Sequence, residues 1–381
     1  MPGGSGGHGP TAPDGIMASN AVVPPHAAMR IAYLTFEIPG DRSGVAKKIA
    51  AQADAWRRLG HHVQHFVLAP AESVDSPNVS RILSSGVRPP ILAAALSGRS
   101  IGKALSQWQP DIVYLRQMLW WPGAIRAISV APLVIEYNSI ARNEYRRSAP
   151  TKYLIECMSR KRFPRAASGL VAVTQELVDD VPAVGHALRT VISNGYDFGR
   201  VVPRTPPSNQ RPQLLLVGSP GQDWHGVDKV IRMAVLLPEF DFHLVVPGLA
   251  QSGPANVHFH GGLYGEALAQ RYAQTDVALG TLALLRKGMR QAAPLKTREY
   301  LAYGLPVIAG YEDADLRGAP YWLDIGNTES KVEDAVQAMR DFVLHWQGRI
   351  LDRADARRRL DYAVKEVERL AFFEQVRRHV R

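Results

Sequence analysis

The chain has 381 residues, 46% apolar and 21% charged, enough for two domains of ordinary size, each with its own core. A formal net charge of +10 and an isoelectric point near 9.7 favour anionic partners: nucleotides, nucleic acid or acidic lipid surfaces. The single cysteine, Cys157, excludes an intramolecular disulfide framework and fits a reducing cytoplasm, and no run of about 18 apolar residues marks a membrane span.

Residues 1–28, rich in Gly, Pro, Ala and Ser, lack a charged segment followed by an apolar one and are expected to be a disordered extension, with Met17 and Met29 as alternative starts. MRIAYLTF (29–36) is a strand-length apolar run that ends in the turn-rich EIPGDRSG. A helix follows from about Val45 to Leu59, with Ile49, Ala53 and Trp56 on one face and Gly60 closing it. His61 then opens a second strand that runs through Leu68. Strand, glycine-containing turn, helix and strand form the first unit of a doubly wound parallel sheet, whose ligands lie at the carboxyl ends of strands. The absence of G-x-G-x-x-G leaves a dinucleotide fingerprint unsupported.

Further strands are expected at 111–115, 133–136, 169–174 and 190–193. Between Arg142 and Arg165 stand eight Arg or Lys residues against Glu144 and Glu156, with Tyr153, Leu154, Ile155, Met158 and Phe163 interleaved. This segment is either a basic amphipathic surface for an anionic membrane or an ordinary solvated face. Asn194-Gly195 is a tight-turn pair, and 203–212, with four prolines, is a stiff linker. A second set of strands is expected at 214–218, 242–246, 257–259 and 276–279. From about Lys331 the chain is expected to be helical to its end, with an apolar stripe of Leu360, Val364, Val367 and Ala371.

The most informative stretch is APLKTREYLAYGLPVIAG (293–310). Pro294 fits the first position of a helix, good helix formers run from Leu295 to Tyr303, and Gly304-Leu305-Pro306 stops the helix before an apolar strand. Lys296 and Glu299, at i and i+3, share a face. They are either a solvated pair or a site where a helix N-terminus receives phosphate and a carboxylate accepts bonds from a ribose diol.

PLKTREYLAYGLPVIAG resembles the donor-nucleotide helix of retaining GT-B glycosyltransferases of family four, with its pattern P-x-K-x-x-E-Y-x-A-x-G-x-P-V-I. PGDRSGVAKKIAAQADAWRRLGHHV and VISNGYD are similar to that family's first loop-helix unit and to its turn before the interdomain linker. The resemblance implies an α/β fold with GT-B architecture: two Rossmann-like doubly wound domains facing a cleft, with a C-terminal helix crossing back. It divides the chain into an acceptor-binding domain (29–202), a linker (203–212), a donor domain (213–348) and a crossover helix (349–381).

The implied function is transfer of a sugar, with retention, from a nucleotide-diphosphate sugar to an acceptor hydroxyl. It implies no tightly bound metal or cofactor, and the sequence offers no C-x-x-C. Glu299 would bind the ribose, Leu295, Lys296 and Thr297 would approach the diphosphate and sugar, and Ser43 and Gly44 would face them. Trp224 and His225 stand where the family has a cation, either contacting donor or packing. Arg286 and Lys287, in the loop before the helix, and Lys296 are the replacement cations. Glu136 either orients an acceptor hydroxyl or is a structural carboxylate, capped by Asn138 or paired with an Arg. The position eight before Glu299 is Gln291, where many members have a second Glu.

The acceptor is left open among a lipid-linked glycan, a natural product and a protein; nucleic acid is not an expected partner. The setting is cytoplasmic, with peripheral contact at the inner face of an anionic membrane. A GT-B sugar-nucleotide 2-epimerase and a non-catalytic nucleotide- or membrane-binding protein are the alternatives.

Overall fold

A computed structural model of the chain describes residues 27–37, 43–70, 78–83, 90–249 and 253–380. All but the last two residues of the expected 1–28 extension, and residues 38–42 of the first glycine-containing loop, lie outside them.

The first sheet holds seven strands: β1 (Arg30–Thr35), β2 (His62–Pro70), β3 (Val79–Leu83), β4 (Ile112–Arg116), β5 (Leu133–Tyr137), β6 (Gly169–Ala172) and β7 (Leu188–Val191). Their spatial order is β3-β2-β1-β4-β5-β6-β7, all parallel. The second holds β8 (Gln213–Val217), β9 (Asp241–Val245), β10 (Val257–Phe259), β11 (Val277–Leu279), β12 (Val307–Ala309) and β13 (Trp322–Asp324). These lie in the order β10-β9-β8-β11-β12-β13, again all parallel. Helices cover both faces of such sheets, which is why the central strands read as continuous apolar runs. All five residues of β5 are buried, Glu136 among them.

In each sheet the order reverses beside the first strand, between β1 and β4 and between β8 and β11. Crevices for ligands open there, at the carboxyl ends. The helix Gly44–Arg58 follows β1, and Ser43 caps it by accepting from the Ala46 N–H at 3.0 Å. The helix Leu295–Ala302 precedes β12, with Pro294 one residue earlier than expected, at the cap.

The end of the chain corrects the expectation of one long helix. Val336–Trp346 stops at Gly348 (φ 66°), Asp352 caps Arg353–Leu360, and an extended Asp361 separates that helix from Tyr362–Val380. The expected apolar stripe is also displaced. Leu360 is buried, but Val367 is exposed, and the buried face of the last helix carries Tyr362, Lys365, Glu366, Arg369, Phe373 and Val376. Charged residues belong to the buried face because they pair inside: Glu366 accepts from the Trp56 indole at 2.8 Å and the Gln52 amide at 3.2 Å, and pairs with Arg369. The last helix thus crosses back onto Gly44–Arg58.

Candidate active site

The two best-matched stretches of sequence meet where the domains face each other. Gly44, first residue of its helix, lies so close to the start of the Leu295 helix that an added Cβ would stand 3.9 Å from Leu295 Cδ1. Two helix N-termini therefore converge, each with backbone N–H groups that lack intrahelical acceptors and each carrying a partial positive charge. Ser43 Oγ, besides capping, lies 3.4 Å from Glu37 Oε2.

On the Leu295 helix the i, i+3 spacing performs as expected. Lys296 Nζ donates to Glu299 Oε2 at 2.8 Å, with 38% of the lysine side chain and 20% of the glutamate exposed. Burial, and then the Glu299 charge, push the Tyr303 phenol up. Thr297, one residue on from Lys296, is turned inward: its hydroxyl shares a 2.6 Å bond with the buried Tyr311 hydroxyl, so only its backbone faces the helix start. Arg298 is fully buried and pairs with Asp313 and Asp315 while donating to the Asn194 carbonyl at 3.1 Å. Asn194, in the predicted turn, reaches back to the Ala293 carbonyl at 2.6 Å.

The loop after β8 completes this corner. The Leu282 and Ala283 N–H groups donate to the carbonyls of His225 and Trp224, and Gly226, at φ 76°, has no room for a Cβ, which would stand 2.9 Å from Leu282 Cβ. The His225 backbone is thus held against residues 282–283, and the Lys287 and Lys296 charges act on its ring. Burial, followed by those two charges, lowers its pKa to about 4, so it is neutral at physiological pH. Its Nε2 is buried and has no partner among the described residues. Trp224 is occupied on one face, where the Lys287 ammonium lies 4.5 Å from the ring centroid.

Three expected residues have other attachments. Arg286 is held by Asp228 (2.7 and 2.8 Å) and Glu329 (3.0 and 3.1 Å), and these hydrogen bonds hold its pKa well above the usual range. Lys287 crosses to the first domain, where Nζ donates to Glu144 Oε1 at 2.6 Å. Glu136 corrects the acceptor expectation and takes the structural alternative: fully buried, it accepts from Lys48 (2.8 Å), Asn138 (3.0 Å) and Arg116 (3.3 Å), with Arg369 at 3.7 Å. These cations hold its carboxyl well below the usual range against the opposing effect of burial.

Gln291, where many members of the family this chain resembles have a second Glu, is an interdomain latch. Its Oε1 accepts from the Glu176 N–H at 3.0 Å, while Glu176 in turn accepts from the backbone N–H groups of Arg290 and Gln291. Sequence reading missed this pairing and that of Asn143 with the Lys287 carbonyl at 2.8 Å, because both join residues more than 100 positions apart. Among the described residues, no group of three or more His, Cys, Asp or Glu is arranged to hold a metal ion, and no helix is long and apolar enough to cross a membrane.

The paired parallel sheets, the crossing C-terminal helix and the site between the domains define the GT-B architecture of glycosyltransferases. A galactosyltransferase of the lipopolysaccharide outer core, WaaB, superimposes with a TM-score of 0.66 at 15% identity over 91% of this chain and 100% of its own. A glycosyltransferase from Rickettsia africae gives 0.61 at 14% identity, covering 92% and 99%. The pneumococcal O-GlcNAc transferase GtfA, solved with UDP and GlcNAc, gives 0.58 at 14% identity, covering 92% and 99%. In sequence, residues 42–200 match the profile of Glycosyltransferase Family 4. No curated protein matches the chain.

Proposed function

We propose that the protein is a retaining glycosyltransferase that transfers a sugar from a nucleotide-diphosphate donor to an acceptor hydroxyl in glycan, polysaccharide or glycoconjugate assembly. The observation that carries this reading is the approach of Gly44 to Leu295, which sets two helix N-termini opposite each other beside Lys296, Glu299 and a neutral His225.

In this reading Glu299 accepts hydrogen bonds from the ribose diol. The backbone N–H groups of Leu295, Lys296 and Thr297, with those beside Ser43 and Gly44, receive the diphosphate. A helix end supplies only about half a charge, so a full cation is needed as the glycosidic bond breaks. Lys296 is that cation: it is accessible, and its bond to the leaving diphosphate strengthens as charge develops. His225 Nε2 provides a neutral hydrogen-bonding group next to it. Arg286 and Lys287 position the loop that carries the helix, and Trp224, with Lys287 over its ring, stands beside the donor. The acceptor enters from the first domain, and the exposed Leu154 and Met158 with neighbouring Lys152 and Lys161 form a contact with anionic membrane.

The test is incubation with a panel of nucleotide-diphosphate sugars, with and without candidate acceptors. Nucleoside diphosphate release with an α- or β-linked product matching the donor anomer supports the proposal. An epimerised sugar nucleotide would instead identify a 2-epimerase, and binding without turnover across panel and acceptors would identify a nucleotide-binding protein.

A further inference from the structure

Away from the Leu295 helix, the first domain has a groove of about 920 Å³ whose lining holds four arginines, Arg99, Arg126, Arg162 and Arg165, and no acidic residue. They come from three helices: Gly98–Trp108, Ala124–Ile128 and Arg162–Ala166. The first two pack closely because Gly102 lies against the Ala127 backbone, where an added Cβ would meet the carbonyl oxygen at 3.4 Å. The basic segment 142–165 is therefore not one surface. Arg142 and Arg160 are spent on Asp180, whereas Arg162 and Arg165 line the groove with two arginines from distant sequence.

Arg99, Arg126, Arg162 and Arg165 are exposed; several other arginines of the molecule have carboxylate partners, as Arg298 with Asp313, Arg369 with Glu366 and Arg286 with Asp228. In the groove none of the four forms an ion pair with a described residue. Arg162 lies over the Trp120 ring at 4.3 Å, and the Trp120 Nε1–H is buried without an acceptor among the described residues. Four like charges around one concavity favour an anion there, an attraction that weakens as salt screens it. A guanidinium presents a planar fork that matches a phosphate oxygen pair, and an unspent indole N–H adds a further donor.

Trp121, next to Trp120, stacks edge-on against Phe36 just beyond the end of β1 at a centroid distance of 6.2 Å, which ties the groove to the carboxyl edge of the first sheet. We infer that this groove is a binding site for a phosphate- or diphosphate-bearing ligand, separate from the Leu295 helix. It stands whether or not the donor reading does; under that reading the ligand is the acceptor.

Calorimetric titration with inorganic pyrophosphate tests the site on the full chain. Wild type, Lys296→Ala and the double variant Arg126→Ala/Arg165→Ala are compared. Pyrophosphate binding that persists in Lys296→Ala and weakens at least tenfold in the double variant supports the groove. The double variant should also melt no lower than wild type without ligand, since repulsion is relieved, and Arg126→Lys should restore only part of the affinity. Flotation with phosphatidylcholine vesicles containing phosphatidic acid separates the sources. Binding lost in the double variant and competed by pyrophosphate assigns the phosphate to a lipid headgroup, whereas binding of pyrophosphate alone assigns a soluble one. Unchanged pyrophosphate affinity in the double variant, or no binding in wild type, overturns the inference.

Discussion

Replacing Glu136 with Gln tests whether this residue is an internal brace or an acceptor-side group. The carboxylate has no exposed surface and neutralises part of the charge of Lys48, Arg116 and Arg369 within 3.7 Å. Removing one member of a buried pair costs roughly 3–5 kcal/mol, because the remaining charge is left uncompensated. Here three cations would be left with Glu366 as their nearest buried acid. Burial already lowers the Lys48 pKa to about 8 despite its partner, so in the variant this lysine becomes the easiest group to neutralise. At about 2–4 °C per kcal/mol, thermal unfolding should shift down by roughly 10 °C. Adding Lys48→Met to the variant should recover part of the loss, since the unpaired ammonium is then removed. A Glu136→Gln protein that melts within a degree or two of wild type, yet has lost transfer to acceptor, would refute the brace and restore the acceptor role.

Lys296→Ala should lower turnover by about 10²-fold while leaving the melting temperature nearly unchanged, because the lysine's only ion-pair partner among the described residues is one turn along its own helix; an equal loss in donor affinity and turnover would contradict a transition-state role. Gln291→Glu, which supplies the missing acid, should destabilise by roughly 1 kcal/mol, since it loses the Nε2 donation to Glu312 (3.3 Å) and adds charge beside Glu176 and Glu312; a melting temperature above wild type would contradict the latch. His65, 2% exposed, has its pKa lowered to about 3 by burial and then by Arg57. The folded state holds it neutral while the unfolded chain takes up a proton below about 6.5, so its contribution is full above that pH and is lost on acidification toward 3. Between pH 7 and 5 it costs about 2 kcal/mol, and His65→Leu should show a shallower acid limb in melting temperature against pH.

Most of the fold was legible because buried parallel strands are continuous apolar runs between turn residues, and eleven of the thirteen described strands, all but β3 and β13, fall where a strand was expected. β3 and the helices over 90–108 were not read, since their short apolar stretches are interrupted by Gly, Ser and Arg. The face of the last helix was misjudged for the opposite reason: Lys365, Glu366 and Arg369 look like solvent-facing charge until their partners from other parts of the chain are known. At the site, helical periodicity gave the Lys296–Glu299 pairing and gave no reason for Thr297, rotated about 100° away, to share its face. Arg286 could not be judged from sequence, because the carboxylates that hold it are 58 and 43 residues away.

The account depends most on Glu299 and the helix that carries it. The most direct measurement is the dissociation constant of the nucleotide-diphosphate sugar that wild type binds best, taken for wild type and Glu299→Ala at equal folded fraction. Loss of the bond from a ribose diol to a charged acceptor, about 1.5–3 kcal/mol, predicts at least a tenfold weaker complex with little change in melting temperature. Equal affinity in the two proteins would contradict a donor site at the Leu295 helix.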